Sequence, residues 1–451
     1  MNRSLAVMRT PASCCAALLF TAFAPIAIQA AANSPPLSVV SGDTLPQRLS
    51  LVEAQQIAFQ RNWDLLAAKS GIDSATAQLL VAKEFPNPTF SFSSARIDPR
   101  GNGTPLGNGI WNRSYDTIFA VNQLVEIGGK RHDRQTSARH GITGARARFF
   151  DARRSLDQGI TRAYVAALLA EENARILDES AKSLRREAEI AETRFKAGDI
   201  SDSDRNQIQN NADVFELQAK SAESAAVQAR VSAEILMGVN EPKGTWVAQD
   251  SLEQLGVITL APEDHPGVGA RPDVLAAEAD LRKAQAELAL QKAVRIPDPT
   301  FSLFYERNPP GPPGPDTMGI GVSFPLPLWN HNGGNIRAAE AASEQSALAV
   351  GKLKAQVQAD VVNAEVAYQE AQQRLQRYHD QIRPRSAKVR ESVAFAYSKG
   401  GASLVDLLTA ERDDNNVRLA TAQALSDTAS AAADLKAART VISETELNTH
   451  P

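Results

Sequence analysis

Residues 84–91, EFPNPTFS, recur as residues 295–302, RIPDPTFS. In both stretches a Pro-x-Pro pair ends a helical pattern, because proline has no amide hydrogen and fixes φ. The Thr-Phe-Ser that follows starts an alternation of apolar and polar residues typical of a strand. A second match relates residues 195–204, FKAGDISDSD, to residues 397–406, YSKGGASLVD, at a similar offset of roughly 200 to 210 residues. The chain is therefore predicted to be an internal duplication.

Each copy has the same order of parts: a helix, the Pro-x-Pro break, a strand, a loop, a second strand, a double glycine and a long helical hairpin. The predicted first repeat covers 33–240, with strands at about 88–98 and 114–126 and a hairpin at 130–238. The predicted second repeat covers 271–442, with strands at about 299–307 and 316–328 and a hairpin at 334–442. Residues 241–270 are expected to link the repeats, and 443–451 to be a disordered tail.

The predicted strands have one apolar face and one small or polar face. Met318, Ile320, Val322 and Phe324, for example, alternate with Thr317, Gly319, Gly321 and Ser323. This alternation suits either a soluble sheet on a core or the wall of a membrane barrel with water inside. The predicted length of about 9 to 11 residues favours the barrel, because a tilted strand needs that length to cross a membrane. The Gly/Pro-rich stretches at 99–113 and 308–315 are predicted to be surface loops.

Four strands are too few for a closed membrane barrel, which needs about eight or more to leave no unpaired edge in lipid. We therefore expect a homotrimer with twelve strands. The predicted fold class is mixed α and membrane β: a trimeric 12-stranded outer-membrane β-barrel, four strands per protomer, continuous with a long α-helical coiled-coil tunnel in the periplasm.

The long helices are predicted from heptad spacing. Residues 130–196 would form a helix about 100 Å long at 1.5 Å per residue, too long for a globular domain. Pro384 is expected to kink or break the second such helix. The predicted seams step by three and four through Ala167, Ala170, Ala174, Leu177, Ala181, Leu184, Ala188, Ala191 and Phe195, and through Val357, Val361, Ala364, Tyr368, Ala371, Leu375, Tyr378 and Ile382.

Residues 1–32 have the pattern of a secretory signal peptide, with Arg3 and Arg9 before a short apolar run that ends in small residues. A transmembrane anchor is the alternative, but Pro11 and Pro25 interrupt the run. The chain has two cysteines, both within this leader, so we expect neither disulfides nor thiolate metal sites. The formal net charge of −4 argues against nucleic acid as a partner.

We find no pattern that indicates catalysis or a resident cofactor. The six histidines have no metal-ligand spacing, and Met237 and Met318 are the only methionines after the leader. No phosphate-binding loop or nucleophile motif occurs. The acidic pairs Glu171-Glu172 and Asp413-Asp414 are interpreted as solvated faces of coiled-coil helices. The chain is therefore not expected to be an enzyme, and no metal-binding residue is assigned.

Taken together, these features resemble the TolC-type outer membrane factors over nearly the whole chain after the leader. The shared motifs are Leu49-Ser50-Leu51 with Glu53-Ala54 and Asn62, both Pro-x-Pro starts, residues 126–131 (EIGGKR), residues 397–400, and Asp406-Leu407-Leu408. Residues 323–336, SFPLPLWNHNGGNI, look most like the heavy-metal, cobalt-zinc-cadmium branch of that family. His331 stands where that branch is expected to have arginine.

The resemblance implies a channel in the cell outer membrane that extends into the periplasm. Its partners would be outer-membrane lipid, a periplasmic adaptor of the membrane fusion protein type and an inner-membrane, proton-driven RND pump. Carried over by position, Asp406 would line the closed periplasmic gate, Thr409 falls where some members carry a second aspartate, and Asp204 is the counterpart of Asp406 in the first tip.

The helical tips at Gly198, Ser201, Gly400 and Ser403 would contact the adaptor. A glycine end and a serine cap also explain these four residues structurally. Asp406 would in addition suit the positive end of a helix dipole.

Three functions remain open from the sequence. The first is the outer-membrane channel of a tripartite efflux system, exporting heavy-metal cations. The second is a duct of the same architecture for drugs, other small molecules or type I protein secretion. The third is a structural periplasmic coiled-coil adaptor, which the two pairs of amphipathic strands disfavour.

Overall fold

The computed structural model describes residues 45–95, 116–256, 271–307, 316–443 and 446–447. The expected leader and the two expected surface loops lie outside the described residues. So do residues 257–270 of the link and most of the tail.

The two copies share the order of a helix, two strands and a long helical hairpin; the first adds β1 and α1, and the second divides its long helix into α7 and α8. The first copy contains β1 (Arg48–Leu49), α1 (Leu51–Arg61), α2 (Trp63–Lys83), β2 (Thr89–Ala95), β3 (Asp116–Leu124), α3 (Lys130–Ala197) and α4 (Asp202–Leu236). The link contributes β4 (Val247–Ala248) and α5 (Leu252–Gly256). The second copy contains α6 (Pro272–Ala293), β5 (Thr300–Arg307), β6 (Thr317–Ser323), α7 (Gly333–Arg377), α8 (Arg383–Ser398) and α9 (Leu404–Arg439).

The four longer strands form one antiparallel sheet in the order β2-β3-β5-β6. In the central register Val121 of β3 lies opposite both Phe90 of β2 and Leu303 of β5. The strand pair of one copy is thus joined to that of the other through β3 and β5, and β2 and β6 are left as the two edges.

The predicted C-terminal end of β6 is wrong. β6 ends at Ser323, whereas the strand was expected to continue to residue 328. Pro325 and Pro327 follow directly, and neither can donate a ladder hydrogen bond, so the pairing stops while the apolar alternation continues.

Each long hairpin turns at a glycine. α3 has 68 residues, about 100 Å at 1.5 Å per residue, and its C-cap Gly198 has φ 84°. In the second copy a π-helical turn, Tyr378–Ile382, separates α7 from α8. The amide of Arg383 donates to Tyr378 O, five residues back, one residue before Pro384. The irregularity expected at this proline therefore takes the form of a π-turn, which accommodates the residue that cannot donate.

The main core packs the middle of α3 against β1, α1, the end of α4, the link and part of α9. Tyr164 of α3 stacks on Trp246 with ring centroids 5.6 Å apart, and both side chains are fully buried. The Tyr164 hydroxyl donates to Leu49 O at 2.8 Å. β1 pairs in parallel with β4 beside this stack. Burial in this apolar site raises the pKa of Tyr164 far above its ordinary value, so the hydroxyl remains a donor.

The sheet joins the helices through a buried ion pair. Lys130, the first residue of α3, places Nζ 2.7 Å from Asp298 Oδ1, just before β5. Asp298 also accepts from the amide of Ile127 at 2.9 Å. Gly128 has φ 74° and passes so close to Ile296 that a Cβ would lie 3.0 Å from that side chain. These contacts fix the exit of β3 against the entry of β5.

The tail departs from expectation at one described residue. Leu447 is only 6% exposed and lies in a cluster with Ala147 and Ala276. Ser443 and Glu446 cap this segment through mutual hydrogen bonds. Disorder is therefore the wrong description for Leu447, because its side chain gains apolar burial between α3 and α6.

Candidate functional site

The first candidate region is the apolar face of the four-stranded sheet. Cross-strand neighbours share a face, so the register assigns every second residue to it. Ile320 is 87% exposed, and its neighbours on this face are also largely uncovered. The apolar residues of this face are Phe90, Phe92, Phe119, Val121, Phe301, Leu303, Tyr305, Met318, Ile320 and Val322. A continuous exposed apolar belt of this kind requires an apolar environment.

The opposite face of the sheet is small and mostly polar. Ser302 Oγ donates to Asn122 Oδ1 at 2.7 Å, and Asn122 Nδ2 donates to Ser91 Oγ at 3.3 Å. The ring of Phe304 lies directly over Gly319, leaving no room for a Cβ there. This face therefore suits contact with water, with Ile118, Leu124 and Phe304 as its larger apolar side chains.

The tips of the two hairpins form the second candidate region. Gly198 and Gly400 both have left-handed φ, 84° and 76°, which glycine adopts without strain. Ser201 caps α4 by accepting from the Asp204 amide at 3.1 Å, and Ser403 caps α9 by accepting from the Asp406 amide at 3.2 Å. The structure thus gives all the tip glycines and serines a structural role.

The two tip aspartates occupy corresponding positions in the first turns of α4 and α9. Asp406 completes a capping box, since its Oδ2 accepts from the Ser403 amide at 3.0 Å and from its hydroxyl at 2.7 Å. These hydrogen bonds lower the pKa of Asp406, so it carries its charge at neutral pH. Asp204 Oδ2 accepts from the Ser201 hydroxyl at 2.8 Å.

Thr409 lies one turn beyond Asp406 and lines a cavity of about 160 Å³ between the two hairpins. Leu404 and Leu408 of α9 pack against the apolar cluster of Leu184, Ala188 and Ile208, which lie on α3 and α4. The structure therefore brings the two tips together within one chain. Asp406 stays exposed at the outer end of this contact.

An acidic cluster above the tips was missed in the sequence. Asp414 is 5% exposed, accepts from Ser386 Oγ at 2.9 Å and has Arg390 Nε 3.5 Å away, so its interpretation as a solvated residue was wrong. Glu411 lies one turn earlier in α9. Its pKa is raised mainly by burial and next by the negative charge of Glu187; Asp414 raises it further, and Arg390 lowers it. Glu171 likewise pairs with Arg230 at 2.7 Å between α3 and α4. A second helix packs on each of these faces, burying Asp414 and leaving the Glu171 side chain 25% exposed. The residue pattern of a single helix does not reveal such a contact.

Within the described part of the chain no group of three or more His, Cys, Asp or Glu side chains is arranged to hold a metal ion. Among the same residues, no helix combines the length and the apolar content needed to cross a membrane.

Comparison with known proteins relates the whole architecture to one family. The outer membrane efflux protein family matches residues 54–239 and 269–439. The cobalt-zinc-cadmium resistance protein CzcC of Cupriavidus metallidurans is 27% identical, over 70% of this chain and 75% of that protein. The nickel and cobalt resistance protein CnrC of the same organism is 25% identical, over 76% of each chain. The crystal structure of the outer membrane protein VceC from Vibrio cholerae superimposes with a TM-score of 0.70 at 19% identity, over 86% of this chain and 95% of that one.

Proposed function

Because the chain belongs to the outer membrane efflux protein family, whose members are non-enzymatic channels of the outer membrane, we propose that it is the outer-membrane channel of a tripartite, proton-driven RND-type efflux system. Its cargo in this proposal is heavy-metal cations, carried across the periplasm and the outer membrane. The observation that carries the channel proposal is the sheet with one exposed apolar face, one polar face and two unpaired edges.

The sheet supports a barrel made from several chains. Each chain contributes four strands, and the edges β2 and β6 offer unpaired backbone groups that lipid cannot satisfy. Pairing β6 of one copy with β2 of the next would close the ring, and three copies give twelve strands. The apolar face would then meet lipid, and the face with Ser91, Asn122 and Ser302 would line the lumen.

The helical part supports a tunnel made by the same trimer. α7 and α8 leave large apolar side chains uncovered on their outer faces, among them Val362, Val366 and Phe395. A neighbouring protomer would cover these faces, just as α4 and α9 cover α3 within one chain. The repeats, with boundaries near residues 240 and 270, would then be arranged around a pseudo-sixfold axis.

The tips are proposed as the periplasmic gate and the docking point for partners. In a trimer, Asp406, Asp204 and Thr409 would be repeated around the aperture, and rings of carboxylates repel anions and hold cations. Gly198, Ser201, Gly400 and Ser403 would contact the membrane fusion protein that links the channel to the pump. Their capping geometry gives this surface a fixed shape.

The metal cargo is proposed from the relatives' names and the sequence near residues 323–336, and no ligand set in the described residues selects an ion. Drug or small-molecule efflux and type I protein secretion are the competing uses of such a duct. Gene deletion separates them: we expect greater sensitivity to cobalt, zinc, cadmium or nickel salts, restored by a plasmid copy. Sensitivity to antibiotics alone, or loss of a secreted protein, would replace the metal proposal.

A matched pair of variants tests the barrel. Leu303→Lys places a charge on the apolar face at a cost of about 2–4 kcal/mol near the middle of a bilayer. Ser302→Lys places the same charge on the neighbouring residue of β5, on the polar face. We expect Leu303→Lys to fail to assemble in the outer membrane and Ser302→Lys to assemble. Equal assembly of both would favour a periplasmic coiled-coil adaptor.

A further inference from the structure

The apolar face of β6 continues past the end of the strand. Met318, Ile320 and Val322 are followed at the same two-residue spacing by Phe324, Leu326 and Leu328, all of them strongly exposed. Trp329 ends this ridge and is 92% exposed. The ridge therefore runs from the sheet toward the helices, and it ends where the chain enters α7.

Three basic side chains converge at the end of the ridge. Lys292 and Arg295, at the end of α6, line an open cavity of about 410 Å³ together with Ile296, Pro327 and His331. The loop that carries His331 is fixed to α6, because Asn332 Nδ2 donates to Gln291 O at 2.8 Å. The cavity is therefore a built feature between two connected elements.

The charges of this cavity are poorly compensated within the described residues. Lys292 Nζ lies 3.6 Å from Glu340, with both side chains about half exposed, and among the described residues no ion pair involves Arg295 or His331. In the first copy the corresponding crossover is satisfied: Arg134 bonds Glu126 at 2.7 Å, and Arg131 stacks 3.8 Å from the Phe85 ring centroid. The cations of the second copy are its own, since the matched stretches place Val81 and Glu84 at the positions of Lys292 and Arg295.

We propose that this cavity binds a phospholipid, with the phosphate between Lys292, Arg295 and His331 and the acyl chains along Leu328, Leu326 and Phe324. The inference rests on the proposed function, which places the apolar face in lipid and this end of the sheet at the periplasmic surface of the membrane. Tryptophan is favoured at such a boundary, and basic pockets there bind lipid head groups. Strand pairing with a second copy uses the backbone edge of β6 and leaves the side chains of this face uncovered.

Native mass spectrometry of the detergent-purified protein with added phosphatidylglycerol tests the proposal. We expect up to three lipids per trimer, with binding roughly thirtyfold weaker in Lys292→Gln/Arg295→Gln, since two basic groups near an anionic lipid are removed. The matched control is Lys69→Gln/Lys352→Gln, which removes two exposed lysines from distant parts of α2 and α7 and should bind as wild type does. Leu326→Ser/Leu328→Ser should also weaken binding, because the acyl chains lose their apolar contact.

Two further experiments test whether something other than a lipid occupies the cavity. Millimolar inorganic phosphate or glycerol 3-phosphate should fail to displace the lipid; displacement would make this a site for a free phosphate and overturn the lipid proposal. Lys292 should react with an amine-acetylating reagent in the lipid-free trimer and be protected by phosphatidylglycerol. Protection of Lys292 without lipid would show that a neighbouring copy covers the cavity and would overturn the lipid proposal. Equal lipid binding by wild type and Lys292→Gln/Arg295→Gln would also overturn the lipid proposal. The native mass spectra distinguish failure of the channel proposal from failure of the lipid proposal. A protein that is not a trimer contradicts the proposed function, whereas a trimer that does not bind the lipid contradicts the lipid inference alone.

Discussion

Removing the Lys130 ammonium group is expected to loosen the joint between the sheet and the long helices. Lys130 and Asp298 form an ion pair at 2.7 Å with side chains only 7% and 18% exposed, and Lys130 Nζ also donates to Ile296 O. Deleting one partner of a buried pair costs about 3–5 kcal/mol, because the other charge stays buried without compensation. In Lys130→Met, Asp298 would remain partly exposed and would still accept a hydrogen bond from the Ile127 amide. We therefore expect a loss of folding free energy of about 3 kcal/mol, at the lower end of that range.

A double-mutant cycle isolates the pair. Lys130→Met, Asp298→Asn and the double variant would be unfolded with urea in detergent and followed by circular dichroism. We expect a coupling of about 1–3 kcal/mol, because contacting partners are not additive. The control cycle uses Arg148 and Asp280, which join α3 to α6 by an ion pair whose side chains are 53% and 44% exposed. Exposed pairs couple by less than about 1 kcal/mol. Equal coupling in the two cycles would refute the claim that burial makes the joint strong.

Three further predictions follow from the tips and the polar face. Ser403→Ala should lower the melting temperature of the tip by removing the cap of α9, whereas Asp406→Asn should change ion selectivity with a smaller thermal effect, because an amide oxygen can still accept from Ser403. Glu411→Gln should raise the melting temperature at pH 7.5 but not at about pH 4: the folded-state pKa is raised, so folding penalises only the charged form, and that penalty grows as pH rises through the raised pKa. Gly319→Ala should reduce trimer yield, because a Cβ would clash with the Phe304 ring, whereas Gly321→Ala on the same face has its nearest atom at 3.7 Å and should be tolerated.

Identical selectivity of Asp406→Asn and wild type would leave Asp406 with the cap alone. A stabilisation by Glu411→Gln that is the same at both pH values would show that packing, and not charge, is responsible. Equal yields of the two glycine variants would mean that Phe304 turns away from Gly319 at little cost.

The duplicated order of helices and strands was predictable because its signals are local. The Pro-x-Pro pairs, the glycine turns at Gly198 and Gly400 and the two-residue alternation depend on the conformational limits of single residues. The end of β6 was also available from these rules, since Pro325 and Pro327 exclude ladder pairing, but the continuing alternation of apolar residues obscured it.

The arrangement of the helices was less predictable, because a single heptad seam indicates contact with only one neighbouring helix. Along α3, Ala181, Leu184 and Ala188 of the expected seam are buried, but so are Ile176 and Ser180 outside it. α3 contacts α4 on one side and α9 on the other, and Ser180 reaches Asn415 of α9. The burial of Asp414 has the same origin, since α8 covers it through Ser386.

The ion pair that joins the sheet to the long helices could not be predicted from the sequence for a different reason. Lys130 and Asp298 are separated by the second half of the first copy, the link and the start of the second copy, and their contact depends on β3 and β5 becoming neighbours. The repeated pattern places both residues near strand ends but does not say which strands pair. The basic cavity beside Trp329 depends on the same kind of long-range contact, between α6 and the start of α7.

Single-channel conductance in planar bilayers tests the central claim most directly. Wild type would be recorded beside Asp204→Ala/Asp406→Ala, with Asp64→Ala/Asp73→Ala as a control that removes two exposed aspartates from α2. A gated trimeric duct predicts a small, cation-selective conductance that rises in the tip variant and stays unchanged in the control. Failure of the protein to insert into bilayers would contradict the barrel, and with it the channel.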